Sequence, residues 1–158
     1  MSELRVPTVA VAAEVLCCDG RSFLGRIFIP ATSSHHSGPM RAQEWLNDPQ
    51  PFFPFLPDAS KTPVILNKSE VLVISVAAVA DRGDVIEEGG DGEQLEQRVC
   101  VEAERRRMEG TVVIDMPPNH RRLLDYLNRA EAFLTLRDGD RHHLVRKERI
   151  TRVRELKE

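Results

Sequence analysis

Four short blocks recur in the same order along the chain, and recurrence at a near-fixed spacing restricts the fold more than composition does. Gly25 leads into Arg-Ile-Phe-Ile and Gly110 into Thr-Val-Val-Ile. Arg41-Ala-Gln-Glu-Trp-Leu-Asn47 matches Arg122-Leu-Leu-Asp-Tyr-Leu-Asn128, with Arg, Leu, Asn and an aromatic at equivalent places. Phe53-Pro-Phe-Leu56-Pro-Asp58 matches Phe133-Leu-Thr-Leu136-Arg-Asp138, and Asn67-Lys68-Ser-Glu-Val71 matches Arg146-Lys147-Glu-Arg-Ile150. The spacing, about eighty residues, shrinks toward the C-terminus, as loops of unequal length would make it. The pattern predicts two copies, 8–80 and 98–158.

Between them, residues 81–97 hold seven acids, one Arg and four Gly, and little apolar content. Such a segment cannot offset the entropy of ordering itself and reads as an acidic, solvated linker.

Within each copy the local signals are those of short strands. Val9–Cys17 and Phe23–Ile29 flank Asp19-Gly20, a strong hairpin signal. Gly25 inside the second run marks a bulge or sharp bend. A helix is predicted from about Met40 to Asn47, capped by Ser37 and ended by Asn47-Asp48-Pro49. The prolines of Phe52–Pro57 restrict that run to a sheet edge or an irregular strand. Pro63–Leu66 and Val71–Val76 form two strands around Asn67–Glu70, read as a tight turn. In the second copy, Arg98–Ala103 pairs with Glu109–Ile114 across Arg105-Arg106-Arg107 at the hairpin tip. A helix near His120–Arg129 follows, with Leu123, Leu124 and Leu127 on one face. Phe133–Leu136, His143–Val145 and Ile150–Val153 complete the sheet around an Asp138-Gly139 turn. Asn47 and Asn128 are expected to close their helices in the left-handed conformation.

The predicted fold class is therefore mainly β, of α+β type: a tandem repeat of two small bent β-sheet or barrel-like units. Each reads β-β-α-β-β, with a fifth strand available by bending. A unit of this size has a marginal core, so the two are expected to pack on each other or on a second copy of the chain.

The second copy, from Glu109-Gly-Thr-Val-Val through Arg122–Asn128, Phe133–Leu136 and Lys147–Ile150, resembles a group of short bacterial domains without an established function. Its strand pattern is similar to Sm-like small barrels, which are strongly bent five-stranded sheets. That similarity implies a nucleic-acid role as one expectation. The helix, however, lies between strands two and three rather than before strand one.

The chemistry-bearing residues are few. Cys17-Cys18 and His35-His36 lack metal-ligand spacing, and adjacent residues of a strand point to opposite faces. No Ser, Cys or acid is tied to His120 by spacing, and Gly89-Gly90-Asp91-Gly92 sits among acids that would repel phosphate. No catalytic residue, metal ligand or cofactor is predicted. Three cysteines with no disulfide spacing, no leader pattern and no long apolar run point to the cytoplasm, with no membrane contact.

The basic residues are uneven. Although the whole chain carries a formal charge of -3, residues 98–158 hold 15 Lys and Arg against 11 Asp and Glu. Arg105, Arg106, Arg107, Arg122, Arg146, Lys147 and Arg149 are the candidate binding residues, in a stripe continued by Arg152 and Arg154. Such a stripe could follow a phosphate backbone, but interspersed acids and scarce aromatics weigh against it. The leading expectation is a non-catalytic protein-interaction or scaffold protein with a protein partner or a second copy of itself. The alternative is a nucleic-acid-binding protein using the second copy.

Overall fold

The computed structural model describes residues 7–33, 40–82, 95–114 and 123–157. The strands are β1 (Thr8–Cys17), β2 (Ser22–Pro30), β3 (Phe52–Pro57), β4 (Val64–Asn67) and β5 (Val71–Ala77), then β6 (Leu95–Ala103), β7 (Arg106–Ile114), β8 (Phe133–Asp138), β9 (Arg141–Arg146) and β10 (Ile150–Glu155). Among the described residues three short α-helices accompany them: α1 (Ala42–Asn47), α2 (Ala78–Arg82) and α3 (Leu123–Leu127). All ten strands form one antiparallel sheet in the order β10-β6-β7-β8-β9-β5-β1-β2-β3-β4.

The first five strands thus lie as β5-β1-β2-β3-β4 and the last five as β10-β6-β7-β8-β9. In the first set Leu16 faces Val73 and Cys17 faces Val71, so Leu72 is skipped. In the second set Glu102 faces Arg152 and Ala103 faces Ile150, so Thr151 is skipped. A bulge of this kind bends the strand and increases its twist. The two sets meet where β5 pairs with β9, from Val73 with Val145 to Ala77 with Arg141. The halves are therefore joined edge to edge by a shared ladder.

Strand β5 is buried on both faces, which is why Val71–Val76 reads as an almost unbroken apolar run. One face of the sheet packs a core around Val15, Ile27, Phe55 and Ile74, which also takes in Phe133 and Leu144 from the second half. The other face packs a core around Val101, Val112, Leu136 and Val145, which takes in Leu72 and Val73 from the first half. Each core is completed by side chains from the other half.

Gly25 and Gly110 each sit under a carbonyl of the neighbouring strand. A Cβ on Gly25 would lie 2.2 Å from the Leu56 carbonyl oxygen, and one on Gly110 2.5 Å from that of Arg137. Both expected hairpins form, but with positive φ at the glycine alone (Gly20 at 92°, Gly139 at 61°), and in the second the turn falls at Gly139-Asp140 because Asp138 still belongs to β8. Strand β3 is not the edge strand its prolines suggest: it lies between β2 and β4, and tolerates Pro54 because β2 pairs only with Phe55–Pro57.

Several expectations are corrected. The β6–β7 hairpin tip is Glu104-Arg105, both at positive φ (48° and 68°), while Arg106 and Arg107 already belong to β7. Asn67–Glu70 is a 3-10 turn, Lys68–Glu70, and its counterpart is Lys147–Arg149. The fifth strand forms in each half. Helix α1 starts at Ala42 with Arg41 as its cap residue, and Ser37 lies outside the described residues. Asn47 and Asn128 do not take the left-handed conformation. Residues 81–82 belong to α2 and 95–97 to β6; the rest of the expected linker lies outside the described residues.

Candidate functional site

The expected basic stripe does not stand free. Arg146 ends β9 and is buried. Its Nε donates to the Val71 carbonyl at 3.1 Å and an Nη donates to the Lys68 carbonyl. Its guanidinium lies 4.8 Å from the Phe133 ring centroid, with Glu148 3.6 Å away. This arginine fastens the second half to carbonyls of the first. Lys147 donates its Nζ to the Arg129 carbonyl just beyond α3 at 3.2 Å, and burial holds its pKa below the usual lysine value. Lys68 does the same for α1: its Nζ donates to the Trp45 and Asp48 carbonyls at 3.3 and 2.9 Å, over the Trp45 ring. Desolvation lowers its pKa too. Both lysines donate to carbonyls at or just beyond a helix C-terminus, where backbone acceptors run short of intrahelical donors.

Three of the other stripe arginines, Arg107, Arg149 and Arg152, are engaged with acids, while Arg154 is exposed with no ion pair among the described residues. Glu102 on β6 accepts from Arg152 at 2.7 Å and from Arg107 at 3.4 Å, forming a row across β10, β6 and β7. The Arg152 hydrogen bond, chiefly, holds the Glu102 carboxyl below the usual range. Arg149 pairs with Glu104 at 3.3 Å. Arg105 and Arg106 are exposed and carry no ion pair among the described residues. Arg122 lies outside the described residues.

The fold also brings together three residues that no spacing in the sequence connects. Ser75 Oγ on β5 lies 2.6 Å from His143 Nδ1 on β9, and His143 Nε2 lies 3.4 Å from Asp138 Oδ2. The residue types are those of a nucleophile, base and orienting acid. Ser75, however, sits in mid-strand, paired with Glu14 on one side and His143 on the other, and β9 residue Arg141 donates to its carbonyl at 3.3 Å. Backbone N–H groups engaged in two ladders are poorly placed to hold an oxyanion. The arrangement clasps β5 to β9. Burial, chiefly, raises the pKa of Cys17 and Cys18, which is the opposite of an activated thiol. Among the described residues no group of His, Cys, Asp and Glu has the geometry of a metal site.

Two of the concave features among the described residues are mainly apolar. An apolar hollow of about 360 Å³ is lined by Val9, Val11, Ile29, Met40 and Val79, beside Arg41, whose Nε is buried with no hydrogen-bond partner among the described residues. A cleft of about 480 Å³ lies along the free edge of β4, between Val64, Leu66, Phe23, Asp19 and Glu70. Beside that edge Phe52 and Ile65 are exposed, at 56% and 74%. None of the described helices is long and apolar enough to cross a membrane. No protein-family model, curated protein or solved structure matches the chain.

Proposed function

We propose that the chain is a non-catalytic protein-interaction scaffold made of two related five-stranded, barrel-like units. The duplication is supported by the strand order common to both halves and by bulges at Leu72 and Thr151. It is supported again by Gly25 and Gly110 under a carbonyl of the next strand, and by Lys68 and Lys147 reaching the end of the preceding helix. The units meet through β5 and β9, and reducing conditions such as the cytoplasm suit three free thiols.

One contrast carries the functional reading. The cations that would neutralise phosphate are mostly committed to Glu102, Glu104 or backbone carbonyls, whereas Phe52, Val64 and Ile65 stay at the surface. Exposed apolar side chains beside an open sheet edge fit a protein partner, and free cations would fit nucleic acid. The alternative, a nucleic-acid-binding protein, rests on Arg105 at the exposed hairpin tip and Arg106 beside it at the start of β7. Titration of labelled single- and double-stranded oligonucleotides at low and physiological salt separates the two. The scaffold reading expects no appreciable binding at physiological salt. Micromolar or tighter, salt-sensitive binding lost on replacing Arg105, Arg106 and Arg107 with Ala would overturn it.

A further inference from the structure

Resting on the two-unit reading, we propose that chains associate head to tail, β10 of one copy adding to the free edge of β4 in the next. The model for this contact is already inside the chain. There the fourth strand of the second unit, β9, pairs with the fifth strand of the first, β5. The free edges are the other members of the same set: β4 is the fourth strand of the first unit and β10 the fifth of the second.

The ladder registers identify the equivalent side chains. Phe52 faces Asn67 and Pro54 faces Ile65; Phe133 faces Arg146 and Thr135 faces Leu144. Asn67 and Arg146 each precede a 3-10 turn, so Phe52 corresponds to Phe133 and Ile65 to Leu144. Phe133 and Leu144 are the two residues of the second half that enter the core of the first, where they are 3% and 0% exposed. Their counterparts Phe52 and Ile65 are 56% and 74% exposed. A fifth strand laid on β4 would cover them as β5 covers β9.

The incoming strand also matches in detail. Ile74 faces Leu144 in the internal joint; Val153, its counterpart beyond the common bulge, would face Ile65. The neighbours of Val153, Arg152 and Arg154, would come beside Leu66 and Val64, along the cleft that carries Glu70 and the Asp19–Arg21 ion pair. The Phe133 N–H donates to the Asn47 side chain at 2.9 Å, and Asn128 stands in the corresponding place for Phe52 of the next copy. Strand β4 is only four residues long and Pro63 precedes it, so the contact is shorter than the internal one and reversible. A heterologous contact of this kind closes into a ring or extends as a filament.

Sedimentation velocity on the full chain from about 1 to about 200 µM tests this, because association follows mass action. The expected result is species larger than a dimer that grow with concentration. Ile65→Asp should weaken association about tenfold or more with an unchanged melting curve, while Leu24→Asp on the interior strand β2 should behave as wild type. Oxidation of a Cys18→Ser, Ile65→Cys, Val153→Cys variant should give a ladder of multimers, and Ile65→Cys in the same background should give none. A monomer at every concentration overturns the proposal, as does a disulfide dimer formed by Ile65→Cys alone, which would mean β4 pairing with β4. Neither result bears on the oligonucleotide titration, so failure of self-association and failure of the scaffold reading remain distinct.

Discussion

Replacing Arg146 with Met should unfold the joint rather than alter a binding surface. The buried guanidinium donates to the Val71 and Lys68 carbonyls and lies against Phe133. A hydrogen bond from a charged donor contributes about 1.5–3 kcal/mol, and a desolvated cation–π contact up to about 2 kcal/mol. Removing a buried charge recovers part of that sum. A net loss of about 3 kcal/mol is expected. At roughly 2–4 °C per kcal/mol for a chain of this size, Tm should fall by about 6–12 °C. Trp45, the only tryptophan and buried against Phe53 at 5.1 Å, reports unfolding in urea by its fluorescence. Arg146→Lys, which retains the charge but not the planar fork, should fall between Met and wild type. Stability within about 0.5 kcal/mol of wild type for Arg146→Met, the range of ordinary surface changes, would refute the structural role.

Gly25→Ala and Gly110→Ala should each cost about 1–3 kcal/mol, since the new methyl meets a strand carbonyl in both places; parallel urea melts check both. Glu104→Asn with Arg105→Gly should stabilise by about 1–2 kcal/mol by relieving positive φ at two ordinary residues, read as a rise in Tm. The lowered Lys68 pKa gives a pH signature. Between that folded value and the usual 10.5 the unfolded chain holds a proton the folded chain has released, so Lys68 makes stability rise with pH in that window. The wild-type stability minus that of Lys68→Met should therefore increase through the alkaline range, and a flat difference in paired melts would count against the burial argument.

Much of the fold was legible because strand and turn chemistry is local. Asp19-Gly20 and Asp138-Gly139 announce their hairpins, and the apolar run Val71–Val76 announces a strand covered on both faces. What was not legible depends on contacts far apart in sequence. Nothing in Val73–Ala77 or Arg141–Val145 says that these strands pair with each other. Phe53 and Phe133 look equivalent in the sequence, but the ladders set Phe133 against Phe52, one residue away. The candidate site was misread for the same reason. Arg146 and Lys147 look like part of a basic stripe until the fold supplies the carbonyls they hold, and Ser75 and His143 show no relation until β5 meets β9. The acids that occupy Arg107, Arg149 and Arg152 lie on strands or turns whose register only the sheet defines.

The proposed scaffold works through protein contact at its β4 edge and not through phosphate contact at Arg105 and Arg106. A photo-crosslinking side chain placed at position 65, and separately at position 106, tests it in intact cells. Adducts at position 65 that contain a second copy of the chain joined through β10, unaffected by nuclease, are expected, and none at position 106. Nuclease-sensitive adducts at position 106 with none at position 65 would contradict it.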